Sequence, residues 1–180
     1  MMLNYTYQHQ GDFEMKVTTF FGLEEILAEE LRRLGGKNIQ LFKRGASVVG
    51  DLGFLYKANL CLHTALKVIV PICKFNANNE HQLYDAIKTI EWEKFISNSE
   101  TLMVESVLNS DVFTHSQFVS QKVKDGIVDR FREKTGQRPN VDLLRPDFKL
   151  YVHIFRNEIS LHIDSSGDPL YKRGYRSDIN

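Results

Sequence analysis

The sequence predicts an α+β fold in two consecutive parts, in which strands and helices alternate along the chain. Short runs rich in β-branched and aromatic residues, such as residues 13–20 and 66–75, are typical of strands. Between such runs lie segments whose apolar residues recur every three to four positions, as in helices that pack on a sheet. With 180 residues, 42% of them hydrophobic, the chain is long enough to bury a core without disulfides or metals.

The first 75 residues predict six elements in the order strand, helix, strand, strand, helix, strand. After the strand at 13–20, a helix is predicted whose apolar residues share one face: Leu23, Ile26, Leu27, Leu31 and Leu34. Strands at 38–42 and 46–50, a helix within 51–65 and a strand at 66–75 follow. This order is that of a ferredoxin-like βαββαβ unit, and we assign residues 1–75 to it.

The following residues predict a second α/β domain, which we assign to residues 76–166. A helix is predicted at 81–90, with Leu83, Ala86, Ile87 and Ile90 facing inward, and a strand at 101–108. A long helix running to Lys134 buries the row Val119, Val123, Ile127 and Phe131; Ser116 is its expected cap and Gly136 its expected end. Strands at 148–155 and 159–163 form a hairpin, across which His153 and His162 are expected to face each other as a structural pair.

The sequence lacks the motifs of a self-sufficient enzyme. Neither a G-x-G-x-x-G nor a G-x-x-x-x-G-K-[ST] loop occurs, and the six histidines have no zinc-ligand spacing. The longest apolar stretch, residues 66–73, is far too short to cross a bilayer. We therefore expect a cytoplasmic protein that makes no membrane contact and holds neither a metal nor a cofactor within this chain.

Motifs in the second part carry a resemblance to a known family. In chain order they are THSQF at 114–118, KVKDGIVD at 122–129, RPNVD at 138–142, PD at 146–147 and LHIDSSGDPLYKRGYR at 161–176. Together they resemble the THUMP domain of the bacterial 23S rRNA guanine-N2-methyltransferase family. Glu91-Trp92 is similar to the start of that domain, and GLEE at 22–25 with EEL at 29–31 resembles the ferredoxin-like module that precedes it.

This resemblance implies a role in RNA modification. THUMP domains of that family capture RNA for an attached Rossmann-like methyltransferase domain, which uses S-adenosylmethionine and an Asn-Pro-Pro-Tyr-type motif. The present sequence has four prolines, none of them adjacent, and so lacks that motif. The resemblance therefore implies that the chain binds structured RNA, 23S rRNA, for a carboxyl-terminal methyltransferase domain outside it. Residues 167–180 are expected to form a basic linker toward that domain.

Basic residues are concentrated in the second part although the net charge is zero. Residues 1–113 hold 11 Lys and Arg against 14 Asp and Glu, whereas residues 114–180 hold 12 against 9. A protein that binds folded RNA needs cations that contact the phosphates and planar groups that stack on exposed bases. The predicted RNA-binding residues are Lys122, Lys124, Arg130, Arg138, Lys172, Arg173, Tyr175 and Arg176.

Other interpretations of these basic residues stay open. Those of the long helix would otherwise form a solvated face with i, i+4 ion pairs, and those of the tail would otherwise dock onto the catalytic domain. For the chain as a whole, the zero net charge also suits a protein- or domain-docking module without RNA contact. A domain that binds a small ligand is a further alternative, because many ferredoxin-like units do so.

Overall fold

The computed structural model describes residues 4–5 and 11–172. Two compact units are formed by the described residues: 11–71 with 164–172, and 4–5 with 72–163. The elements are β1 (Asn4–Tyr5), β2 (Phe13–Thr19), α1 (Glu24–Arg33), β3 (Lys37–Phe42), β4 (Gly45–Gly50), α2 (Leu52–Cys61), β5 (Ala65–Asn76), α3 (Glu80–Thr89), β6 (Thr101–Asn109), α4 (Ser116–Thr135), β7 (Asn140–Val141), β8 (Phe148–Phe155) and β9 (Glu158–Asp164). Short 3-10 turns lie at Trp92–Lys94 and Leu170–Lys172.

The first unit has the ferredoxin-like topology that the sequence predicts. Its strands follow the order β3-β4-β2-β5, and β2 pairs antiparallel with both β4 and β5. Burial alternates along β2, which lies between β4 and β5. Phe13, Met15 and Val17 are buried, and the residues between them are more exposed. The predicted βαββαβ module is confirmed, and we call this unit the ferredoxin-like unit.

Helix α1 buries a narrower face than the sequence predicts. Leu27, Ala28 and Leu31 are buried, whereas Ile26 is 52% exposed, so the expectation that Ile26 packs inward is wrong. At 100° per residue, Ile26 lies about 150° from the centre of the face that the three buried residues define. The acidic first turn and the basic last turn complement the helix dipole.

The segment after β9 is anchored to β5 within the ferredoxin-like unit. The backbone N–H of Ser165 donates to the Val68 carbonyl (3.1 Å), and the hydroxyl of Ser166 accepts from the Val68 N–H (2.6 Å). The buried carboxylate of Asp164 pairs with Lys67 at 3.2 Å. These contacts place residues 164–172 in the same unit as residues 11–71.

The second unit packs α3 and α4 on a mixed sheet. Its strand order is β5-β9-β8-β6-β7, and β6 runs parallel to both β7 and β8. The predicted inward rows are confirmed, since these residues are buried: Leu83, Ala86, Ile87, Ile90, Val119, Val123, Ile127 and Phe131. Because β6 and β8 are parallel, their carboxyl ends lie at one edge of the sheet, where α4 begins.

Two local predictions in this unit are wrong. Helix α4 starts at Ser116, so His115 takes the cap position and makes no side-chain capping bond. The two-residue turn of the β8–β9 hairpin pairs Phe155 with Glu158, which places His153 opposite Ser160 and Tyr151 opposite His162. The two histidines are therefore out of register, and His162 instead contacts the ring of Tyr151, with centroids 6.1 Å apart.

Candidate nucleic-acid interface

The carboxyl end of β6 brings two segments of the second unit together. The chain leaves β6 at Asn109 and enters α4 seven residues later, where the hydroxyls of Ser120 and Ser106 lie 2.8 Å apart and tie the helix to the strand. On the other side, the N–H of Arg156 in the β8–β9 turn donates to the Asn109 carbonyl (2.7 Å). The start of α4 and the hairpin turn therefore flank one strand end.

The amino terminus of α4 is electropositive and open. No side chain caps it, and Val119 is the residue whose N–H closes the first helical turn, on the His115 carbonyl. Unbonded N–H groups and the helix dipole make such an end attractive to anions, phosphate among them. An open groove of about 510 Å³ lies against it, lined by Thr114, His115, Ser116, Gln117, Phe118 and Gln121.

Two cation–aromatic pairs stand at this edge. The ammonium of Lys122 lies 5.7 Å from the centroid of the Phe118 ring, and the guanidinium of Arg156 lies 5.4 Å from that of Phe155. Both rings are open to solvent, with 43% of Phe118 and 47% of Phe155 exposed. A cation beside an exposed ring can meet a phosphate and a base of the same nucleotide. We define the carboxyl-edge surface as His115, Phe118, Lys122, Phe155 and Arg156.

Sequence reasoning found only Lys122 of these five residues. Phe118 precedes Lys122 by four positions on a predicted helix, which was a usable signal for a cation–aromatic pair. Arg156 was assigned to the hairpin turn, but only the pairing register shows which strand end that turn adjoins. The open amino terminus of α4 was hidden by the mistaken assignment of Ser116 as a cap.

Two predicted RNA-binding residues of α4 are engaged within the unit. Arg130 is enclosed: it pairs with Glu93 at 3.0 Å and donates to the carbonyls of Lys88 and Thr89, which leaves 11% of its side chain exposed. Lys124 pairs with the adjacent Asp125 at 2.7 Å and stays about one-third exposed. Arg130 therefore braces α4 against α3, and we leave it out of the surface proposed below.

Glu93 is the centre of this brace between α4 and the turn that follows α3. Its second oxygen pairs with Lys134 at 2.7 Å. Partial burial alone would raise the pKa of Glu93, but hydrogen bonds from Arg130 and Lys134 outweigh it and lower the pKa from 4.5 to about 2. The charges of α4 thus pair mainly with neighbouring elements, and the i, i+4 pattern considered from sequence is not their main arrangement.

The lowered pKa predicts a pH-dependent contribution to stability. Because the folded-state pKa lies below the unfolded one, the contribution is present above pH 4.5 and is lost as the pH falls toward 2. We expect Glu93→Gln to lower the free energy of unfolding by about 1–3 kcal/mol at pH 7, since it leaves Arg130 without its charge partner. Urea denaturation should show this gap closing between pH 5 and pH 2; a gap that does not change with pH would contradict the assignment.

The remaining predicted residues lie elsewhere. Arg138 is exposed just beyond the carboxyl end of α4, about 20 Å along the helix from Lys122, so the structure does not bring these two residues together. Lys172 is exposed in the ferredoxin-like unit. Arg173, Tyr175 and Arg176 lie outside the described residues.

The described residues contain no other obvious chemical centre. Over the described ranges, no group of three His, Cys, Asp or Glu side chains is placed to hold a metal ion. Nor does any helix there have the length and apolarity required to cross a membrane. The carboxyl-edge surface is therefore the candidate functional site of the second unit.

Comparison with known protein families accounts for both units. Residues 77–164 match the THUMP domain, and residues 14–69 match the RlmL ferredoxin-like domain. The chain therefore contains a ferredoxin-like domain of the RlmL type followed by a THUMP domain. The carboxyl-edge surface thus lies wholly within the THUMP domain, as do Lys124, Arg130 and Arg138.

Curated relatives and a solved structure align with most of this chain. The ribosomal RNA large subunit methyltransferases K/L of Syntrophotalea carbinolica and Magnetococcus marinus are 42% and 38% identical to this chain, over 87% and 88% of it. A solved Listeria monocytogenes protein, described as a predicted N6-adenine-specific DNA methylase, is 30% identical over 94% of this chain, with a TM-score of 0.78. The chain spans 22% of each of the two methyltransferases and 44% of the Listeria protein.

Proposed function

We propose that this chain is the RNA-binding region of an S-adenosylmethionine-dependent rRNA (guanine-N2) methyltransferase, and that it positions structured RNA for a catalytic domain. The observation that carries the proposal is the pair of cation–aromatic contacts beside the open amino terminus of α4, in a THUMP domain whose relatives are named ribosomal RNA methyltransferases. The proposed RNA is 23S rRNA and the proposed place of action is the cytoplasm.

Four residues of the carboxyl-edge surface and the start of α4 have proposed roles in RNA binding. The amide groups at the start of α4 and the ammonium of Lys122 bind phosphates, since both are positive and accessible. Phe118 and Phe155 stack on bases that are unpaired at a loop or at the end of a stem. Arg156 binds a phosphate or stacks on a base through its planar guanidinium.

The finer parts of the proposal rest on the family. Methyl transfer is assigned to a separate carboxyl-terminal domain, because this sequence has neither a glycine-rich cofactor loop nor adjacent prolines. S-adenosylmethionine is proposed to bind in that domain. Lys172, Arg173, Tyr175 and Arg176 are proposed to contact RNA, the catalytic domain or both.

A docking role has one specific observation in its favour. The loop between β7 and β8 exposes Leu143 and Leu144, at 68% and 92% of their surface. Asp142 holds the loop in shape by accepting the N–H groups of Leu144 (2.8 Å) and Arg145 (3.0 Å), and these bonds lower the pKa of Asp142. Two ordered, exposed leucines suit contact with another protein surface. This loop is at the opposite edge of the sheet from the carboxyl-edge surface.

A titration with RNA separates the two roles. Fluorescence anisotropy with a labelled 23S rRNA stem–loop is expected to show saturable binding, with log K falling by about 0.7 to 0.9 per log unit of salt for each phosphate contacted. A DNA hairpin of the same sequence should bind more weakly, because the duplex geometry and 2′-hydroxyls differ. No binding at low salt would contradict the RNA-binding role and leave docking as the function.

A further inference from the structure

Three aromatic side chains of the ferredoxin-like unit are exposed at its surface and do not belong to its buried core. Phe20, Phe21 and Tyr171 are 48%, 74% and 51% exposed. The rings of Phe20 and Tyr171 contact each other, with centroids 6.1 Å apart and planes tilted by 54°. The two rings offer adjoining aromatic faces inclined to each other, and Phe21 follows Phe20 in the chain.

The turn between β2 and α1 holds Phe21 outward. The N–H of Leu23 donates to the Phe20 carbonyl (3.1 Å), which closes a turn with Phe21 at its tip. Gly22 follows with φ +87°, a conformation that side-chain-bearing residues rarely adopt. The exposure of Phe21 is thus fixed by backbone geometry.

Glu24 joins this turn to the β3–β4 hairpin. One carboxylate oxygen accepts the N–H of Gly22 (2.7 Å), and the other accepts the N–H of Arg44 (2.9 Å). The Arg44 carbonyl in turn accepts the N–H of Thr19 (2.9 Å). Arg44 is therefore held beside the aromatic turn, with both oxygens of its acidic neighbour already engaged by backbone amides.

Lys172 adds a second cation next to Tyr171. It closes the 3-10 turn at Leu170–Lys172, where its N–H donates to the Pro169 carbonyl (2.9 Å). Both Lys172 and Arg44 are exposed, and no ion pair within 4 Å joins either of them to another of the described residues. Exposed cations beside exposed rings match the two requirements of single-stranded nucleic acid, namely a partner for the backbone and a surface for the bases.

We propose that Phe20, Phe21, Arg44, Tyr171 and Lys172 form an aromatic–basic platform that binds unpaired nucleotides of the RNA. This rests on the proposed RNA-binding function and deepens it, because it assigns a single-stranded segment to the ferredoxin-like unit. The bases stack on Phe21 and on the Phe20–Tyr171 pair, and Arg44 and Lys172 bind the adjoining phosphates. A polypeptide partner would have to place carboxylates opposite both cations as well as side chains against the rings, whereas every nucleotide carries both a phosphate and a base.

The test uses the whole chain and two RNAs that share a stem–loop, one blunt and one with a short single-stranded extension containing 2-aminopurine. The wild type is expected to bind the extended RNA about tenfold more tightly than the blunt one, and to quench the aminopurine as it stacks. Phe21→Ala and Tyr171→Ala should remove most of this preference and of the quenching. Phe21→Trp should keep both, since it retains a stacking ring.

Tyr56→Ala is the matched control, because Tyr56 is an aromatic residue of the same unit that is 63% exposed on α2. It should leave the preference unchanged. If the wild type binds both RNAs equally, or if Phe21→Ala and Tyr171→Ala behave like the control, the platform is wrong while the RNA-binding function stands. If neither RNA binds at all, both proposals fail, and a face used only for protein docking would give that result.

Discussion

Replacing both cations of the carboxyl-edge surface, in a Lys122→Ala/Arg156→Ala variant, is expected to weaken RNA binding about 50-fold at 0.1 M salt. Each cation that releases a counter-ion contributes about 0.7 to 0.9 to the log–log salt slope, so the slope should fall by about 1.4 to 1.8. Neither side chain forms an ion pair with the described residues; each lies on an aromatic ring. Their removal should therefore leave folding intact. The measurement is anisotropy with the rRNA stem–loop across a salt series.

A variant with the same loss of charge at the other edge provides the control. Arg138 and Arg145 are exposed beside β7, where β6, β7 and β8 begin. Arg138→Ala/Arg145→Ala is expected to change the slope little if RNA lies on the carboxyl edge. Equal losses from the two double variants would show that binding depends on total charge, and would contradict the assignment of a defined surface.

Trp92→Ala is expected to lower the free energy of unfolding by about 3–5 kcal/mol, the range for large buried aromatic residues. Trp92 is fully buried in the core of the THUMP domain, and its indole N–H donates to the Ile87 carbonyl at 2.8 Å. The substitution leaves both a cavity and a buried carbonyl that has lost its donor. Circular dichroism should follow unfolding, because the variant loses the single tryptophan of the chain.

Trp92→Phe separates the two contributions to this loss. Phenylalanine fills most of the space but cannot donate to Ile87, so we expect a loss of about 1–2 kcal/mol. A loss below 1 kcal/mol for Trp92→Ala would contradict the view that this residue links α3 to the following turn.

The order and type of the longer elements could be predicted from sequence because they depend on local patterns, whereas the two-residue strands β1 and β7 were not predicted. The inward rows of α3 and α4 recur at helical spacing, and each of their residues is buried. Ile26 shows the limit of this reasoning, since apolar character alone does not say which side of α1 meets the sheet. Register also escaped prediction: the pairing of Phe155 with Glu158 moves His153 and His162 out of line.

The candidate site was predictable only in part, because it depends on which residues the fold brings together. Lys122 was found as one cation of a charged helix, but charge pattern could not distinguish it from Arg130, which Glu93 and two backbone carbonyls enclose. Phe155 and Arg156 reach the same edge through the parallel pairing of β6 with β8, a contact between segments 46 residues apart. The ferredoxin-like platform likewise joins Phe20 to Tyr171 across most of the chain.

The most direct test of the account is to map the RNA on the protein by NMR. With an isotopically labelled chain and the rRNA stem–loop, backbone amide shifts should change most at residues 115–122 and 155–157, the start of α4 and the β8–β9 turn. Residues 137–145, at the opposite edge, should change little. Large shifts confined to residues 137–145, with residues 115–122 and 155–157 unaffected, would contradict the claim that RNA binds where β6 and β8 end.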